Sequence, residues 1–149
     1  MFQLKAEDRL RSWRDFRHTL DSLPLDEALD QTAKLWANSP FVPYYLDTDQ
    51  INLWPDPWTL VDENIYCDIA RCLGIVYTML LSSHGANLDV EIRVYKDPKK
   101  HHEFNLACFD QGKYILNMID GEVVNIKTVE ETLQLSKVIS AVELQLENY

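Results

Sequence analysis

The segment Ile65-Tyr66-Cys67-Asp68-Ile69-Ala70-Arg71-Cys72-Leu73-Gly74-Ile75-Val76-Tyr77-Thr78-Met79-Leu80-Leu81 is the longest strongly apolar run in the chain and contains no proline. Its length and composition predict a buried helix over residues 65–81, around which the other elements pack. Asn64 precedes it as the expected N-cap, because an asparagine side chain can accept a hydrogen bond from an unpaired first-turn amide. That placement puts Cys67 in the first turn. A sulfur there lies at the positive end of the helix dipole, which favours thiolate over thiol. Free cysteine is also among the residues most often buried in cores, so position alone leaves a chemical and a packing reading open.

Two amphipathic helices are predicted before this segment. Leu10, Trp13, Phe16, Leu20 and Leu23 mark one face over residues 7–23, with Arg9, Arg11, Arg14 and Arg17 elsewhere on the wheel. Leu25, Leu29, Ala33 and Trp36 mark a second over residues 26–37, ended by Asn38-Ser39-Pro40. Residues 40–64 differ in character: prolines at 40, 43, 55 and 57 and rings at Phe41, Tyr44, Tyr45, Trp54 and Trp58 follow no period. A helical turn is expected within 46–53, and Asp56-Pro57 suits the start of a short helix, with proline at its first position. Long irregular segments in compact domains often line a site or a partner surface, and aromatics are enriched at interface cores. The five rings are therefore candidate interface residues.

After the apolar segment, Gly85 fits a left-handed helix stop. Leu88, Val90, Ile92 and Val94 alternate with polar neighbours, the pattern of a half-buried strand. Further strands are expected at 101–109, 113–119 and 122–127, the last two joined by Asp120-Gly121 in a type I′ turn. Thr128-Val129-Glu130-Glu131 has the form of a capping box and predicts a final helix to about residue 147, with Val129, Leu133, Ile139, Val142 and Leu146 turned inward. The expected fold class is α+β in one domain, residues 1–149. It comprises an N-terminal helical pair (1–39), an aromatic and proline-rich segment (40–64), and a cysteine-bearing helix, four-stranded antiparallel meander and terminal helix (65–149).

The bulk numbers exclude several function classes. At 149 residues, with 46% hydrophobic and 26% charged residues, the chain is long enough to bury a real core. A formal charge of −10 disfavours nucleic acid and anionic membrane as partners, since both are bound by clustered Lys and Arg. Residues 1–10 lack the apolar region of a signal peptide, and the longest apolar run is too short to cross a bilayer, so a cytoplasmic location is expected. Cys67, Cys72 and Cys108 cannot all pair and lack zinc-ligand spacing. Cys72 and Cys108 read as core residues, and His18 and His84 as surface groups. Asp47-Thr48-Asp49 begins like a calcium loop but lacks the glycine that follows in one. With only four glycines and no phosphate loop, neither a cofactor nor a metal is expected.

The order of a cysteine helix, a strand, a strand opening on histidine, a turn and a strand bearing a polar residue is carried by Cys67 and by His102-Glu103-Phe104-Asn105-Leu106-Ala107-Cys108-Phe109-Asp110-Gln111-Gly112-Lys113-Tyr114-Ile115-Leu116-Asn117. Over residues 54–123 this order resembles the transglutaminase-like branch of papain-type cysteine enzymes. The resemblance implies Cys67 as nucleophile, His102 as its base and Asn117 as the group orienting the imidazole, with His101 and Asp120 as rivals for the last two roles. It also implies an oxyanion donor from the Cys67 amide, with a second from the indole of Trp54 or Trp58. Tyr66 stands where the family has a small residue and Asp68 where it often has an aromatic. Tyr66 is expected to crowd the approach to sulfur, and Asp68 to oppose thiolate formation.

Two functions of different class follow. The first is a structural or assembly adaptor docking onto other protein subunits through the aromatic segment and the terminal helix. The segment Trp54-Pro55-Asp56-Pro57-Trp58 resembles small tailed-bacteriophage proteins, which implies virion assembly. The second is a cysteine enzyme catalysing acyl transfer or amide hydrolysis through a Cys67 thioester.

Overall fold

The computed structural model describes residues 1–144. Helices α1 (Ala6–Leu20), α2 (Leu25–Ala37) and α3 (Pro57–Glu63) form a layer on one side of α4 (Asp68–Leu80), and an antiparallel sheet lies on the other. Strands β1 (Val90–Asp97), β2 (His102–Phe109), β3 (Tyr114–Leu116) and β4 (Val123–Val124) form the expected meander. A fifth strand, β5 (Gln134–Ser140), pairs antiparallel with β1, so the sheet order is β4-β3-β2-β1-β5. The class is α+β, with one strand more than the sequence suggested.

The central helix is buried nearly all round, as its uniform apolarity requires when helices cover one side and a sheet the other. Gly74 makes the close approach of α2 possible, because a Cβ there would stand 2.4 Å from the Trp36 ring. The indoles of Trp13 and Trp36 both donate to Thr78 Oγ1, at 3.0 and 2.9 Å, tying α1 and α2 to α4 through one hydroxyl. Thr78 in turn donates to Gly74 O, so three buried polar groups satisfy one another. Arg9 is itself buried rather than on the solvent side of α1. Its guanidinium donates to Val61 O and Asp62 O, each at 2.7 Å, where a cation meets the carbonyl end of α3.

Several boundaries differ from expectation for identifiable reasons. The central helix begins at Asp68, not Ile65, with Cys67 as its N-cap residue. Asn64 terminates α3 in a left-handed conformation (φ 57°), and Tyr66 is held extended by its parallel bridge to Phe41. Asp56 does cap α3, accepting from Thr59 N at 2.8 Å with Pro57 in the first position. The turn within 46–53 is a 3₁₀ segment at Ile51–Leu53. Gly85 has no positive φ, and its need is steric: a Cβ would meet Leu80 O at 2.0 Å.

At Asp120-Gly121 only Gly121 has positive φ, which rules out type I′. The predicted final helix is replaced by α5 (Ile126–Glu130), capped by Asn125 rather than Thr128, followed by β5. Val129 and Leu133 are buried on one face of the sheet and Ile139 on the other. The far end of that expected helix, with Leu146, lies outside the described residues. No helix among the described residues is long and apolar enough to cross a membrane.

Candidate active site

Strand alternation decides which side chains can meet the first turn of α4. Val90, Ile92 and Val94 of β1 pair with Phe109, Ala107 and Asn105 of β2, and this register faces α4. Tyr95, Leu106 and Cys108 face the opposite side, where Val129 of α5 and Leu133 cover them. Asn105 and Glu103 therefore share the cysteine's face. His102 shares the other parity, and its ring packs edge-on against Phe104 at 4.8 Å between centroids.

Cys67 opens on a cleft of about 510 Å³ lined on one side by Phe41, Tyr44 and Leu46 and on the other by Asp68, His102, Glu103 and Asn105. The sulfur is nearly covered, at 3% residue exposure, and accepts a hydrogen bond from Leu46 N at 3.4 Å. That amide belongs to the 40–56 segment, a strap that forms one wall of the cleft. The strap starts at the bridge to Tyr66, where Val42 N donates to Tyr66 O at 2.8 Å. Arg71 anchors its beginning by donating to Ser39 Oγ at 2.9 Å and Ser39 O at 3.1 Å. Farther along, Tyr45 donates to the Glu63 carboxylate, Trp54 Nε1 to Asp47 O at 2.8 Å, and Lys137 Nζ to Thr48 O at 3.3 Å.

Beside the cysteine sits a buried polar cluster that sequence reasoning did not find. Asp68 Oδ2 accepts from Asn105 N and Asn105 Nδ2, both at 2.9 Å, and Asp68 Oδ1 accepts from Asn117 Nδ2 at 3.2 Å. Asn117 Nδ2 also donates to Asn105 O at 2.9 Å, which helps hold Asn117 at φ 78°, an uncommon value for a residue with a side chain. Burial pushes the Asp68 carboxyl above its ordinary value, against the opposing pull of the Asn105 and Asn117 hydrogen bonds.

Of the two residues flanking Cys67, Tyr66 is not placed as the sequence suggested. Tyr66 turns into the core, edge-on to Phe2 and Trp36, so its ring is not what covers the sulfur. Asp68 is held by the two asparagines rather than by the thiol. The cluster's sequence signal was the parity of β2, but each parity of that strand mixes polar and apolar residues, so its orientation could not be read.

The other expected site residues are placed as follows. Cys67 and His102 line one cleft, and Asn117 reaches the start of α4 through Asp68. Among the described residues no hydrogen bond joins Cys67 to an imidazole, and Asn117 is engaged with Asp68 and Asn105, not His102. His101 occupies the β1–β2 turn at φ 52° and lines a separate depression with Lys96 and Gln134. Asp120 pairs with Arg71 at 3.3 Å on an exposed turn. The Trp54 indole is committed to Asp47 O, and Trp58 packs on Trp13 and Arg17, so neither is directed at the sulfur. Of the five candidate interface rings, Tyr44 (73%), Phe41 (54%) and Trp58 (39%) are exposed, while Tyr45 and Trp54 are half-buried. Cys72 and Cys108 are buried; burial drives the Cys72 thiol far above its ordinary range and raises that of Cys108 to about 12.

No protein-family model matches the chain, and no curated protein sequence matches it. Its fold is nevertheless that of solved structures of LapG from Legionella pneumophila. A calcium-bound form superimposes with a TM-score of 0.73 at 11% identity, covering 93% of this chain and 77% of that one. An EGTA-treated form gives 0.68 at 11% identity, covering 91% and 77%, and a further LapG structure 0.66 at 12%, covering 91% and 76%. Nothing in these comparisons supports the bacteriophage resemblance.

Among the described residues no group of three or more His, Cys, Asp or Glu side chains converges on one point. Asp49 is paired with Lys137 at 3.6 Å, and Asp47 accepts from Asp49 N at 2.8 Å. The transglutaminase-like fold expected from the sequence is the one this chain shares with these LapG structures.

Proposed function

We propose that the chain is a cysteine enzyme that attacks an amide carbonyl with Cys67 and passes the acyl group to water or an amine. The observation supporting this reading is the position of Cys67. It stands at the N-cap of a 13-residue helix and opens on a cleft, in a fold shared with LapG over 93% of the chain. The dipole of α4 favours a thiolate at that end. His102 is the base of this proposal, being the one histidine that lines the Cys67 cleft. Its exposed ring sits at the strand end and must swing from Phe104 to reach the sulfur, as resting sites often tighten only with substrate bound.

In the proposed reaction His102 takes the thiol proton. The sulfur adds to the carbonyl carbon, and the π pair moves to oxygen. Collapse then breaks the C–N bond, with the proton passing from His102 to the leaving amine. Water or an amine finally attacks the thioester and regenerates the thiol. Asn117 and Asp68 shape the floor beneath the sulfur through their contacts with Asn105.

The test is turnover of denatured casein, with and without a fluorescent primary amine. Cys67→Ala should abolish both chain cleavage and amine incorporation, and His102→Ala should reduce them by about 10²–10⁴. Activity undiminished in Cys67→Ala would remove the reading.

A second reading, an assembly domain without chemistry, draws support from Asn105. It holds the β2 position facing the start of α4 with its Nδ2 fixed on Asp68, and an amide cannot serve as a base. The exposed Phe41 and Tyr44 would then bind a protein subunit.

A further inference from the structure

The Leu46 amide is a donor with no place in any helix or strand, aimed at the one sulfur that opens on the cleft. Resting on the proposed role of Cys67, we infer that the backbone N–H of Leu46 is an oxyanion donor for carbonyl addition at that sulfur.

A thiol sulfur is a weak acceptor, and a thiolate gives up its charge as the C–S bond forms, so the amide's bond to sulfur weakens just as the carbonyl oxygen becomes charged. An oxygen bonded to the same carbon as the attacking sulfur can come within about 3 Å of an amide so placed, the distance such donors require. The bond it then makes is charge-assisted, roughly twice as strong as a neutral one. Stabilisation is thus larger in the transition state than in the ground state, which is the condition for accelerating the chemical step.

The strap also holds this donor before the reaction begins. The residue before Leu46 is fixed by the bond from Tyr45 to Glu63, and the residue after it by the Trp54 indole on the Asp47 carbonyl. The Trp54 indole therefore acts through the backbone, as a positioning group, rather than on the substrate. The second donor is the Cys67 amide, which as an N-cap N–H is outside the helical bonding of α4.

The chemistry at the oxygen separates this role from a simple hold on the thiolate. Acylation of Cys67 by p-nitrophenyl acetate forms a C–S bond while the carbonyl π pair moves to oxygen, and nitrophenolate then leaves. Alkylation by iodoacetamide forms a C–S bond with loss of iodide and develops no oxyanion. Both rates are read on the full chain at a pH where the thiol is fully ionised, with the Cys67→Ala rate subtracted.

Removing the donor, by Leu46→Pro or by replacing Leu46 with its α-hydroxy analogue, is expected to slow acylation at least about tenfold while alkylation stays within about twofold. The hydroxy analogue keeps the side chain and removes only the N–H, so it decides the matter if the proline variant fails to fold. Equal slowing of both reactions, or of neither, overturns the assignment of Leu46. Wild-type Cys67 inert to both reagents overturns instead the proposed role of the cysteine.

Discussion

Replacing Asp68 by Asn tests the polar cluster beneath the candidate nucleophile. The substitution keeps the shape and removes a buried charge, so a desolvation argument alone predicts a more stable protein. The hydrogen bonds predict the opposite. Three donors converge on the two carboxylate oxygens: Asn105 N and Asn105 Nδ2 at 2.9 Å and Asn117 Nδ2 at 3.2 Å. An amide at position 68 offers one acceptor and one N–H, so at least one buried donor faces another donor. A buried polar group left unsatisfied costs about 1–3 kcal/mol.

For a chain of this size that corresponds to a Tm lowered by about 3–9 °C. Thermal unfolding followed by circular dichroism at pH 7 measures it, with urea unfolding as a check on two-state behaviour.

The pH dependence carries a sign of its own. Burial raises the Asp68 carboxyl above its ordinary 3.8, so the folded protein holds this proton more tightly than the unfolded chain. The stability this confers is fully present below pH 3.8 and is lost as pH rises through the folded value. The gap between wild type and Asp68→Asn should therefore be wider at low pH than at pH 7. An Asp68→Asn protein as stable as wild type at pH 7, or a gap that widens as pH rises, would refute the argument.

Two further perturbations probe the scaffold and the strap. Thr78→Val leaves the Trp13 and Trp36 indoles without their shared acceptor and should destabilise by about 2–4 kcal/mol, read from the urea midpoint. Lys137→Ala removes the contacts to Thr48 O and Asp49 that hold the strap from β5. These contacts are partly exposed and worth at most about 1 kcal/mol, so Cys67 alkylation should quicken by no more than about fivefold, with Tm nearly unchanged.

The legible parts of the fold were those written in local periodicity. Leu10, Trp13, Phe16 and Leu20 give α1, the alternation from Val90 to Val94 gives β1, and Asp56-Pro57 gives the start of α3. Elements that depend on distant partners were not legible. Thr128 to Glu131 imitates a helix start, yet residues 134–140 are drawn into the sheet because β1 presents a free edge some forty residues earlier in the chain, with Ile139 opposite Ile92. A capping box cannot compete with a ladder of that length.

At the site, Cys67 at a helix start was legible from the apolar run behind it. The partners of Asp68 were not, because each face of β2 mixes polar and apolar residues and only the packed structure shows that Asn105, and not His102, contacts the start of the helix. The strap that covers the sulfur follows no period, and its course depends on single contacts from Glu63, Lys137 and Arg71.

Mass-spectrometric mapping of iodoacetamide labelling tests the central claim, that Cys67 is the chemically active thiol. Cys67, which lines the cleft, should be modified in the folded protein, while Cys72 and Cys108 react only on unfolding. Labelling of Cys67 that waits for unfolding along with the other two would contradict it.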